Sequence, residues 1–68
     1  MIEVFKTNVQ YKAQVVQLSQ VFGHQEIEGW SFDLDDCDRI LRVQSRVDVA
    51  EYVVNALLNK GFECSKLE

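Results

Sequence analysis

Sixty-eight residues with a net charge of −4 and 47% hydrophobic side chains make one domain, residues 1–68, near the lower size limit for an independent core. That hydrophobic fraction excludes a disordered chain, and the negative charge opposes nucleic-acid binding, which draws most of its affinity from Lys and Arg on phosphates. No apolar run approaches the roughly 20 residues of a membrane span and no signal-peptide pattern opens the chain, so the expectation is a soluble cytoplasmic protein that does not engage membranes.

Ile2 to Thr7 reads as a strand, with Asn8 placed to cap the helix after it. From Val9 to Phe22 the residues Tyr11, Val15, Leu18 and Phe22 recur at helical spacing, and Gly23-His24-Gln25 ends that helix. Trp30, Phe32 and Leu34 alternate with Gly29, Ser31 and Asp33, the period-two signature of a strand with one buried face. Asp35-Asp36-Cys37-Asp38 is a turn, and Ile40 to Gln44 returns as a second strand with Leu41 and Val43 inward. Ser45-Arg46-Val47-Asp48 has capping-box spacing before a helix that places Val49, Val53, Ala56 and Leu57 on one side. Gly61 stops that helix, and Phe62 to Leu67 supplies a last strand.

Strand, helix, strand, strand, helix, strand is the order of the ferredoxin-like split βαβ fold, α+β in class. Right-handed crossovers then put the first strand between the third and fourth, with both helices on one face of a four-stranded antiparallel sheet. Many unrelated activities share this architecture, so it does not by itself assign one.

Within that architecture several segments resemble the heavy-metal-associated family, the copper-chaperone type of domain. Phe5-Lys6-Thr7-Asn8-Val9 is similar to the entry segment of one branch, Trp30-Ser31-Phe32-Asp33-Leu34 to the second strand, and Ile40-Leu41-Arg42-Val43 to the third. Gly61-Phe62 is similar to the Gly-aromatic pair that in this family packs near the metal loop. The resemblance implies a Cys-x-x-Cys pair between the first strand and the first helix, capturing Cu(I) or a similar soft ion for transfer to a partner domain. Tyr11 and Gln14 stand at those places, or Val9 and Lys12 if the register shifts. Soft d¹⁰ ions select sulfur, and a helix N-terminus favours the thiolate. A phenol with an ordinary pKa of about 10 and a neutral amide cannot replace two thiolates. No metal site and no cofactor are therefore expected. What remains of the family's role is a docking surface for a protein partner around Val9, Gln10, Tyr11 and Phe62. Tyr11 itself is expected to be structural, its ring leaning onto the domain near Phe62.

Other side chains are weighed on their own chemistry. Cys37 in the turn and Cys64 on the edge strand lie two strands apart, near 10 Å at about 4.8 Å per strand. Disulfides need Cα atoms within about 7 Å. Cys64 alternates with Glu63 and Ser65 and reads as a small buried hydrophobe, whereas Cys37 is exposed. A second possibility is a metal carrier that borrows ligands from a partner or a second copy through Cys37. His24 reads as a surface loop residue. Asp33, Asp35, Asp36 and Asp38 read as a solvated hairpin tip, lacking the glycine and distal glutamate of an EF-hand loop. No Ser/His/Asp set or Gly-rich phosphate loop supports catalysis. The open sheet face, with Ile2, Val4, Lys6, Ile40, Arg42 and Gln44, offers no aromatic on which an RNA base would stack. Its aliphatics Ile2, Val4 and Ile40 fit either a protein-contact patch or scattered surface residues.

Overall fold

A computed structural model describes residues 1–67. The elements are β1 (Ile2–Thr7), α1 (Lys12–Leu18) running into a 3₁₀ turn (Ser19–Gly23), β2 (Ile27–Asp33), β3 (Ile40–Ser45), α2 (Ala50–Asn59) and β4 (Cys64–Leu67). The strands form one antiparallel sheet in the order β2-β3-β1-β4, so β1 is central, as the crossover argument requires. This is the α+β, ferredoxin-like arrangement of four strands and two helices.

Register decides which residues reach the core. Phe5 lies opposite Leu41, which lies opposite Phe32, and Val43 lies opposite Trp30. These side chains share the face on which Leu18, Val21 and Phe22 meet Val49, Val53 and Leu57, so both helices cover one side of the sheet. Phe22 stacks on Trp30 with ring centroids 4.5 Å apart and meets Phe32 edge-on, closing the core over β2. Helix α2 ends as its sequence predicts. Gly61 takes the left-handed conformation (φ 89°), and the N–H groups of Gly61 and Phe62 donate to the carbonyls of Leu58 and Leu57, each at 3.0 Å. That Schellman closure turns Phe62 back against the core.

Five local expectations are corrected. The first helix does not begin at Val9: Val9 is fully buried as part of the loop, and Tyr11, extended at φ −127° and ψ 149°, is the residue before α1. Asn8 is not its cap, because its Oδ1 accepts the N–H of Glu63 instead. Nor does Ser45 cap α2. It is the last, buried residue of β3, its hydroxyl donating to the Val47 carbonyl. The helix starts later, and its first amides go to carboxylates: Val49 N–H to Glu3 Oε2 at 3.0 Å and Ala50 N–H to Asp48 Oδ1 at 2.9 Å. The last strand begins at Cys64, since the Schellman closure occupies Gly61 and Phe62. Finally, Ile40 is buried although it lies on the open face, flanked there by its register partners Lys6 and Asp33. The exposed aliphatics of that face are Ile2 and Leu67.

Candidate functional site

Three connections meet at one end of the domain: the loop from β1 to α1, the hairpin between β2 and β3, and the segment from α2 to β4. Thr7 ties the first to the second. Its N–H donates to the Asp38 carbonyl (3.3 Å), and its hydroxyl donates to the Arg39 carbonyl (2.7 Å) while accepting the Val9 N–H (3.2 Å). Asn8 ties the first to the third, through Asn8 N–H to the Glu63 carbonyl (3.4 Å) and Glu63 N–H to Asn8 Oδ1 (2.9 Å). Arg39 has φ 49°, and its guanidinium reaches back to the Leu34 carbonyl, which braces the hairpin turn.

This bracing fixes how each loop residue points. Val9 is drawn into the core with no exposed surface, so it cannot be the partner contact expected of it. Phe62 is half-buried against the core. Gln10 and Tyr11 project outward, with Tyr11 63% exposed. The expectation that its ring packs onto the domain is therefore wrong, because α1 starts only at Lys12 and the extended Tyr11 turns away from the helical stripe. Gln14 carries a different task. Its Oε1 accepts the N–H groups of both Gln10 (2.8 Å) and Tyr11 (3.0 Å), satisfying amides that the start of a helix leaves without intrahelical partners. The side chain at the second place of the expected thiol pair thus holds the loop by an amide oxygen.

Compared with protein-family models, curated proteins and solved structures, the chain finds no match in any of the three.

Neighbouring groups at this end behave as their surroundings dictate. Both cysteines are free, Cys37 exposed and Cys64 buried opposite Thr7. Burial pushes the Cys64 thiol up to about 11 from an ordinary 9.0. In the hairpin, Asp36 Oδ1 accepts the Asp38 N–H at 2.8 Å, and donor atoms of Asp36, Cys37 and Asp38 lie within 4.8 Å of one another. Lys6 Nζ approaches Asp38 Oδ1 at 3.8 Å, a solvent-exposed pair of little energetic consequence. At the opposite end, His24 is exposed, its ring 4.8 Å from that of Tyr52 and its Nδ1 accepting the Glu26 N–H. Among the described residues no helix is long and apolar enough to cross a membrane.

This geometry fixes how three substitution and labelling experiments should come out. Tyr11→Ala should move the unfolding free energy by no more than about 0.5 kcal/mol, the range of exposed substitutions; a loss of about 1–2 kcal/mol in urea unfolding, the range for burying part of an aromatic ring, would show the ring packed. A thiol reagent should label exposed Cys37 in the folded protein, and buried Cys64 only as the domain opens; equal rates at the two would contradict burial of Cys64. The raised Cys64 value also has a sign. Its contribution to stability is complete below about 9.0 and is lost as pH rises toward about 11. Cys64→Ala should accordingly flatten the alkaline limb of the stability profile, and an unchanged limb would contradict burial of the thiol.

Proposed function

We propose that this chain is a non-catalytic protein-interaction domain related to the heavy-metal-associated type, in which the metal loop has become a contact loop. The observation that carries the proposal is the use made of Gln14: its carboxamide closes the start of α1 where a thiolate would wait for a metal. The loop is pre-ordered by Thr7 and Asn8, so little conformational entropy is lost when something docks on it. Tyr11 and Gln10 are the groups it offers, an aromatic ring with a polar tip beside an amide, a combination suited to protein contact. Val9 anchors the loop in the core and half-buried Phe62 packs against that core. Neither a catalytic constellation nor a resident cofactor belongs to this proposal, which assigns the domain to the cytoplasm and its binding to another protein.

A second reading keeps metal transport, with Cys37 as the ligand completed by a partner chain. It is favoured by the proximity of the Asp36, Cys37 and Asp38 donors. Titration with Cu(I) and then Zn²⁺ under reducing conditions, read residue by residue in an amide NMR spectrum, separates the two. The interaction domain should show no saturable shift at Val9–Gln14. Shifts saturating at one equivalent over those residues would overturn it, and shifts confined to Asp36–Asp38 would favour the carrier.

A further inference from the structure

The buried carboxylate of Glu3 lies away from the contact loop and takes no part in it. Glu3 is on the helix-covered face of β1 and is 4% exposed. Its Oε2 accepts the Val49 N–H, while its Oε1 is enclosed and, among the described residues, makes no hydrogen bond. The charge facing Oε1 is the Lys66 ammonium, with Nζ at 3.2 Å, a close approach without hydrogen-bond alignment. Lys66 reaches there diagonally from β4, where it sits opposite Phe5. Asp48 completes the cluster. Its carboxyl is held below the ordinary value first by the Ala50 N–H and further by the Lys66 ammonium. Two carboxylates thus cover the first amides of α2, with one ammonium across from them.

The start of β4 is fastened by the Asn8–Glu63 tie and by buried Cys64, while the Lys66 end is held by its ladder to β1 and by this ion pair. The strand is an edge strand of four residues, of which Cys64 alone is buried. We propose that the Glu3–Lys66 ion pair is a charge latch on β4: the strand stays on β1 while Lys66 carries its ammonium, and lifts when that charge is removed. A buried carboxylate stripped of its partner must regain water, find a new counter-ion or take up a proton, and at neutral pH hydration at the edge strand is the nearest of these. The central strand β1 and the helix α2, anchored by Val53 and Leu57, are too deeply packed to yield. The edge strand yields instead. The Lys66 side chain is 43% exposed, so its amine is open to reagents that acylate amines and remove the charge. Lifting β4 uncovers the outer edge of β1 from Val4 to Thr7, a row of backbone groups ready to pair with an extended segment.

Hydrogen exchange of the intact chain and three variants tests the latch. Lys66→Met should speed exchange of the β4 amides at least about tenfold, leaving those of β2 and β3 at the parental rate. Lys66→Arg keeps the charge and should stay near the parent. The double variant Glu3→Gln, Lys66→Met removes both charges and should restore β4 protection. Unchanged β4 rates in Lys66→Met would overturn the proposal. So would loss of protection everywhere at once, or failure to fold, since the pair would then support the whole domain. A double variant with β4 still open would overturn it too, because the lysine stem and not its charge would be holding the strand.

Discussion

Phe5→Ala should cost about 3–5 kcal/mol, enough to leave little folded protein without a stabilising co-solvent. Phe5 lies in the central strand, has no exposed surface, and shares the core with residues of both helices. A chain of this size buries only about 60% of its unfolded surface and commands a total stability near the low end of about 5–15 kcal/mol. One emptied ring site therefore approaches the whole margin. Ile2→Ala, in the same strand but 68% exposed on the open face, should change stability by less than about 0.5 kcal/mol. Urea unfolding of both variants measures the contrast. A larger loss at Ile2 than at Phe5 would mean that the strand is turned the other way, and equal losses would contradict a single buried face.

Glu3→Ala should lose about 1–3 kcal/mol, because it leaves the Val49 amide without an acceptor beneath the helix. Lys66 adds little to that loss, since its half-exposed side chain can turn to water. Glu3→Gln keeps an acceptor for Val49 and should be milder. The acid limb gives a second readout through Asp48, whose carboxyl lies below its ordinary value of 3.8 first because of the Ala50 amide and then because of the Lys66 ammonium. A lowered value means that the contribution of Asp48 is present above about pH 3.8 and is lost as pH falls below it. Glu3→Ala leaves the Ala50 amide on Asp48 and should keep this acid limb in place while lowering the curve as a whole. Stability against pH from urea unfolding checks this, and an acid limb displaced by the substitution would contradict it.

Much of the architecture was legible because it rests on local periodicity. The alternation through Trp30 and Phe32, the α2 stripe of Val49, Val53 and Leu57, and the stop at Gly61 all depend on residues a few places apart. The features that escaped sequence reading depend on partners far along the chain. Asn8 looks like a helix cap, but its oxygen is engaged by the amide of Glu63, 55 residues away. Ser45 and Asp48 have capping-box spacing, yet Ser45 continues the β3 ladder and the Val49 amide is met by Glu3, 46 residues earlier. Tyr11 and Val9 exchanged their expected roles for the same reason: the ties of Thr7 to Arg39 and of Asn8 to Glu63 set where α1 starts. Glu3 did leave a signal, since it alternates with Phe5 and Thr7 on the inward side of β1, and a carboxylate in such a place demands a cation or amides. Lys66, opposite Phe5 on the neighbouring strand, answers that demand only once the strands are paired.

The relation of this loop to a two-thiol metal site is tested most directly by restoring the thiols. Tyr11→Cys with Gln14→Cys puts two sulfurs at the start of α1, flanking Lys12 and Ala13, in place of an exposed phenol and a capping amide. Titrated with Cu(I) beside the parent chain under reducing conditions, the double variant should bind one ion tightly, with amide shifts centred on residues 9–14. The parent should bind none there. A correctly folded double variant that binds no Cu(I), or a parent that binds it equally well in this loop, would contradict the derivation of the contact loop from a metal loop.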